Sequence, residues 1–197
     1  MTKDNHQPAA AHKASFRDIY NDQDPRGYLT TLASLEYTIP QQVEPLFQRL
    51  YKLSCQDRES PAILDVCCSY GINGCLLKYN VNLDTWTTHY HGSKLSPKQQ
   101  TLADKEFFTT RAKSCKPVVL GLDQADQAIR YAVSVGLIDD GWVEDLEVCD
   151  PSPGLSKVLQ DVKLITCTGG ASYVGPRTFK RIMAAIPKSR NVWMAST

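Results

Sequence analysis

The chain has 197 residues, with 22 lysines and arginines against 21 aspartates and glutamates and a formal net charge of +1. That length can bury one proper core, and the neutral balance offers no electrostatic case for nucleic acid or an anionic membrane surface. The seven cysteines (55, 67, 68, 75, 115, 149 and 167) are odd in number, scattered and without a C-x-x-C pair, which speaks against a zinc ribbon or a disulfide framework and for reduced, buried thiols.

Residues 1 to about 15 are polar and read as a disordered tail. They contain no apolar signal core, and no run in the chain approaches ~18 apolar residues, so the expectation is a soluble, cytoplasmic protein with no membrane partner. From Phe16 to Pro40 a turn signal, Asp24-Pro25-Arg26-Gly27, stands between aromatic and apolar residues: Phe16, Ile19, Tyr20, Tyr28, Leu29, Leu32, Leu35 and Tyr37. This stretch reads either as a helix hairpin docked on a sheet or as a lid over a ligand. Gln41 to Leu53 has the helical spacing Val43, Leu46, Phe47, Leu50, Tyr51, and Pro45 is expected in its first turn.

Pro61 to Leu77, PAILDVCCSYGINGCLL, is the stretch around which the rest is organised. Ala62 to Cys67 is an apolar run of the kind that forms a buried parallel strand. The small residues Cys68, Ser69 and Gly71 then lead into Ile72, Leu76 and Leu77 at helical spacing. A strand feeding through a tight turn into a helix opens a mononucleotide-binding βα unit, with a ligand outside the strand's carboxyl end. Asp65 guards that turn. A carboxylate there suits a ligand carrying an ammonium group better than one carrying a diphosphate.

Residues 80 to 116 depart from the rhythm of a compact α/β chain and read as an insertion. Ser96-Pro97 starts a helix to about Ala112, with Leu102, Phe107 and Phe108 available for packing. His89 and His91 read as loop-surface residues, a metal pair lacking a third ligand. Val118 to Asp123 is the second strand, again ending in an acid. The helix after it shows Ala125, Ala128, Ile129, Ala132 and Val133 on one face and ends at Gly136. Val143 to Cys149 reads as a weaker strand and Pro151 to Gln160 as a short helix. Val162 to Cys167 is a third confident strand, running into Thr168-Gly169-Gly170. Pro176 starts a helix with Phe179, Ile182, Met183 and Ile186, and Asn191 to Ala195 is the last strand.

This alternation calls for a doubly wound, mainly parallel, Rossmann-like sheet of five strands with helices on both faces, over residues 16–197. Asp65, Asp123, Asp150 and Thr168 to Gly170 all fall at or just after strand carboxyl ends, where such sheets bind ligands.

On these residues the chain resembles the class I S-adenosyl-L-methionine-dependent methyltransferases. ILDVCCSYG is similar to their first motif, an acid followed by G-x-G-x-G, with Cys67 and Ser69 standing at the first two glycine positions. GLDQADQAIRYAVSVGL resembles their second strand and helix, and DVKLITCTGGASYV their fourth strand and its sequel. DPRGYLTTLASLEYTIPQ with LDVCCSYGIN also resembles a subgroup of uncharacterised bacterial members. The resemblance implies that Asp65 holds the ammonium of the cofactor's methionine part, and that the turn Cys67, Ser69, Gly71 lets the backbone approach. It implies that Asp123 takes the ribose hydroxyls, with Gln124 beside the adenine. Asp150, or Asp145, would face the adenine amine, and Thr168 and Gly169 would border the methyl-donor end. The implied partner is a small-molecule acceptor, with no residue standing out as a base. The family's sheet has seven strands in the order 3-2-1-4-5-7-6. The five counted here imply a C-terminally short chain with its fifth strand exposed for self-association. Two other readings stand beside this one: a binding protein that holds the cofactor without turnover, and an NAD(P)-dependent oxidoreductase.

Overall fold

A computed structural model describes residues 19–55, 61–170 and 172–197; the expected N-terminal tail lies outside them. α1 (Arg26–Ser34) follows the Asp24-Pro25 turn. The buried Asp24 carboxylate anchors that turn, accepting from the Arg26 backbone N–H, Nε and Nη2. α2 (Ile39–Ser54) starts earlier than the spacing implied, so Pro40, not Pro45, occupies its first turn. Pro45 sits inside the helix, where it lacks the N–H that would bond the Gln41 carbonyl.

β1 (Ala62–Val66), α3 (Ile72–Lys78), β2 (Val118–Asp123), α6 (Asp126–Ser134), β3 (Asp140–Val143), α7 (Pro153–Leu159), β4 (Val162–Cys167), α8 (Pro176–Ala185) and β5 (Trp193–Ser196) alternate through the rest. The strands form one parallel sheet in the order β3-β2-β1-β4-β5, a Rossmann-like arrangement. Period-two alternation sorts the central strands onto two cores. Ile63, Val119 and Leu164 face one core with Phe47, Leu77, Trp86, Phe108 and Ile129. Ala62, Leu64, Val66, Leu120, Leu122 and Ile165 face the other with Leu155, Leu159 and Ile182.

The insertion is an ordered excursion closed by backbone bonds at its base, Asn80 N–H to the Arg111 carbonyl and Lys113 N–H to the Lys78 carbonyl. It holds α4 (Leu83–His89), which the sequence pattern did not suggest, and α5 (Pro97–Thr109), capped by Ser96 and Gln99. Both helices pack on the first core through Trp86, Tyr90, Phe107 and Phe108, while Leu102 points away and is exposed. His89 is not a loop-surface residue. Its Nε2 lies 2.9 Å from Asp104, whose carboxylate is fully buried.

Two strand limits also differ from the sequence reading. β3 spans Asp140–Val143, because the acid-rich stretch after it, Glu144 to Cys149, folds as a turn that drops Leu146 into the second core, and β5 spans Trp193–Ser196 rather than Asn191 to Ala195. Among the described residues β5 pairs only with β4, and its Trp193 and Met194 are about half exposed. No helix among the described residues is long and apolar enough to cross a membrane.

Candidate functional site

The turn after β1 owes its shape to left-handed backbone at alternate residues. φ is +55° at Cys67, +49° at Ser69 and +79° at Gly71. These are the three positions at which the motif calls for glycine, and two of them carry side chains at a conformational cost. The turn is held from behind. The Cys67 and Cys68 N–H groups donate to the Leu122 carbonyl, and the Ser69 N–H donates to Asp123 Oδ2 at 2.8 Å. Asp123 Oδ1 accepts from the Ala125 N–H at 3.0 Å, so one carboxylate ties the β1 turn to the start of α6.

Ser69 carries a second penalty. Its Oγ is buried near the Tyr28 hydroxyl without a hydrogen bond of sound geometry. Ser69→Gly is therefore expected to raise stability by about 1 kcal/mol, the relief of left-handed strain and of an unpaired hydroxyl outweighing glycine's entropy. Ser69→Ala keeps the strain and should gain less. Urea midpoints of the two variants check this; an alanine variant at least as stable as the glycine variant would contradict it.

Asp65 stands at the end of β1 on the first core face and is 1 % exposed. Its Oδ1 accepts from Thr166 Oγ1 at 2.7 Å and from Asn73 Nδ2 at 2.8 Å. Asn73 Nδ2 also lies 3.1 Å from Thr168 Oγ1, linking α3 to the end of β4. Asp65 Oδ2 is buried with no partner. Burial pushes the Asp65 carboxyl up to about 7, against the opposing pull of Asn73 and Thr166 and with a further push from the charge of Asp123.

Asp65, Cys67, Ser69, Asn73 and Thr168 line a cavity of about 20 Å³ with Tyr28, Tyr37 and Pro40 around it. That is room for about one water molecule. The two tyrosines come from the segment that the sequence left open between hairpin and lid. It docks on the sheet: α1 packs into the first core through Tyr28, Leu29 and Leu32, and Tyr28 and Tyr37 line the cavity. Tyr28 lies 5.3 Å from Tyr70 between ring centroids, and Tyr37 Oη approaches Gly169 so closely that a Cβ there would stand 2.6 Å from it. The segment is fastened at two points. The buried Tyr70 hydroxyl accepts from the Asp22 N–H at 2.8 Å, and Asn21 pairs with Asp126 and the Gln127 N–H at the start of α6.

Of the remaining sequence candidates, Gln124, Asp145 and Asp150 lie apart from the cavity. Gln124 is exposed just past β2. With β3 ending at Val143, the residue that follows its carboxyl end is Glu144, whose Oε2 accepts from the Ser152 N–H. Asp150 is an exposed side chain paired with Arg181 at 2.9 Å, and Asp145 caps the Glu147 N–H in its own turn. Thr168 lines the cavity, and Gly169 lies under Tyr37. Tyr173 is exposed, with its ring 6.0 Å from Tyr20. Sequence reasoning missed Asn73 and Thr166, the two residues that ligate Asp65. A signal existed for the first: an asparagine on a short helix surrounded by Ile72, Cys75, Leu76 and Leu77.

Beyond Tyr37, α1 and α4 enclose a second cavity of about 220 Å³. It is lined by Leu29, Leu32, Ala33 and Leu83, with Glu36 and Asp84 among its polar residues. No group of three or more histidine, cysteine or acidic side chains placed to hold a metal occurs among the described residues. The chain matches no known family profile, no curated protein and no solved structure.

Proposed function

We propose that this chain is an S-adenosyl-L-methionine-dependent methyltransferase acting on a small-molecule acceptor. The observation that carries the reading is the Asp65 carboxylate, buried, with one oxygen unpartnered, beside a left-handed turn at the carboxyl end of the central strand. A buried anionic oxygen with no donor is costly, and a ligand ammonium supplies both the missing hydrogen bond and the counter-charge. A pyrophosphate would add negative charge at the same place, which disfavours the nicotinamide alternative.

Asp123 suits the other half of the ligand. Each of its oxygens accepts one backbone N–H, and a carboxylate has about four acceptor positions, so capacity remains for two ribose hydroxyls. Gln124 lies next to it for the base. Asp150 joins this set only if Arg181 releases it. The donor, when bound, supplies an activated methyl group on its sulfonium. The protein's part is alignment and the exclusion of water, for which Tyr28 and Tyr37 form the cover. The larger cavity between α1 and α4 shares Tyr37 with the Asp65 cluster and gives the acceptor an approach.

Calorimetry with S-adenosyl-L-methionine, adenosine and NAD, followed by a methylation screen, tests the proposal. Binding of the first two without NAD is expected, and binding without turnover on any acceptor would favour the non-catalytic alternative. Asp123→Ala is expected to weaken S-adenosyl-L-methionine at least tenfold, about 1.4 kcal/mol. It should also lower stability modestly, since the Ser69 and Ala125 N–H groups lose their acceptor. Unchanged affinity in the folded variant would remove Asp123 from the site.

A further inference from the structure

Cys67, in the turn after β1, and Cys167, the last residue of β4, stand 100 positions apart in the chain, yet they meet on one face of the sheet. Val66 and Cys167 are register partners in the parallel β1–β4 pair, and Cys67 is the next residue along. Both belong to the second core, Cys167 buried and Cys67 half-buried. A Cβ on Gly170 would stand 2.4 Å from the Cys167 sulfur and 3.2 Å from the Cys67 sulfur. The two thiols thus crowd into the one space that glycine leaves. Cys68 turns to the opposite face against Gly121, Cys75 is buried in the first core, and Cys115 and Cys149 are exposed.

From this juxtaposition we infer that Cys67 and Cys167 form a reversible oxidation site, closed to a disulfide by hydroperoxides, on the wall of the Asp65 cavity. The inference does not depend on methyl transfer. Cys67 holds a left-handed conformation at +55°, where glycine would sit without strain, so a thiol is kept there against the backbone's preference. Cys67 also lines the cavity and is the more exposed residue of the two, so it meets the oxidant first. Its sulfur, giving up its proton, attacks one peroxide oxygen. The O–O bond breaks, Cys67 becomes a sulfenic acid, and the leaving hydroxide takes the proton as water. Cys167 then attacks the Cys67 sulfur; the S–S bond forms, the S–O bond breaks, and a second water carries off the thiol proton. In the reduced protein the two sulfurs are in hydrogen-bond contact, which places them within reach of a disulfide. Two thiols are oxidised and one peroxide is reduced to two waters. The disulfide would staple the β1 turn to the end of β4.

The test is peptide mapping of the native, full-length protein after brief treatment with hydrogen peroxide and alkylation without reduction. The expected product is a Cys67–Cys167 crosslinked peptide that disappears on reduction, with Cys115 and Cys149 oxidised singly or not at all. In Cys167→Ser the crosslink should be replaced by a dimedone adduct on Cys67. Recovery of Cys67 and Cys167 as separately alkylated thiols, or crosslinked to other cysteines, would overturn the inference. Should Cys167→Ser fail to fold, the map of the unmutated chain decides alone.

Discussion

Asp65→Asn is expected to make the ligand-free protein more stable at pH 8 and to leave it unchanged near pH 4. In the folded chain the Asp65 carboxyl is held up at about 7, against 3.8 for an ordinary aspartate, chiefly because it is buried. Between those values the folded state binds a proton that the unfolded chain has released. Stability is therefore fully present below about pH 4, falls as the pH rises towards 7, and stays reduced above it. Three pH units at about 1.4 kcal/mol each set an upper bound of roughly 4 kcal/mol. Asparagine keeps the shape and the Oδ1 acceptor for Asn73 and Thr166 but has no charge to desolvate. A gain on the order of 2–4 kcal/mol at pH 8, or roughly 5–10 °C in Tm, follows for a chain of this size. The same substitution should cost more affinity for S-adenosyl-L-methionine than for adenosine, because the lost charge is the proposed partner of the ammonium. Thermal scans from pH 4 to 8 are decisive. Parallel pH profiles for the two proteins would mean that Asp65 does not titrate in this window, and equal losses for both ligands would reduce it to a shaper of the turn.

Asp104→Ala is expected to destabilise the chain by roughly 3–5 kcal/mol, a large part of the 5–15 kcal/mol typical of a folded domain. The Asp104 carboxylate accepts from four donors: His89 Nε2 and Gln100 Nε2 on Oδ1, Tyr90 and Tyr131 hydroxyls on Oδ2, all between 2.7 and 2.9 Å. Trp86 Nε1 adds to the same cluster by donating to the Tyr90 hydroxyl. Alanine would take their shared acceptor from the buried Tyr90 and Tyr131 hydroxyls and the Gln100 amide. The cluster is the seam between the insertion and the Rossmann-like body, since Tyr131 lies on α6 and the others on α4, α5 or the turn that ends α4. Hydrogen exchange should accordingly quicken across 83–109 and around Tyr131 before it does in β1 and β4. Asp104→Asn, which keeps the volume and one acceptor, should lose less. A urea midpoint for Asp104→Ala within about 1 kcal/mol of the parent would show that the helices of the insertion hold without this seam.

The parallel sheet and its handful of strand-end acids were legible in the sequence because they follow from local burial. A strand buried on both faces must be apolar throughout, so AILDV, VVLGLD and VKLITC announce themselves, and the few residues that break the apolar run are where a carboxyl end meets solvent or a ligand. The tight turn was legible too, from its small residues between strand and helix, but not the left-handed backbone of Cys67 and Ser69. Only the tertiary structure decided what each acid does, because that depends on groups brought in from elsewhere in the chain. Thr166, 101 positions away, and Asn73 take one oxygen of Asp65 and leave the other bare, while Tyr28 and Tyr37 close the cavity over it. Asp123 became the fastener of the β1 turn, and Asp150 turned outward to Arg181 once β3 proved to end at Val143. The short β3 resisted reading because its four residues are only partly buried and alternate with no clear period, so neither of the two signals that mark a strand was there to be read. The seam at Asp104 was equally hidden. An aspartate on an amphipathic helix looks like a solvated side chain until the partners that make its burial tolerable, two tyrosines, a histidine and a glutamine from four segments, are folded around it.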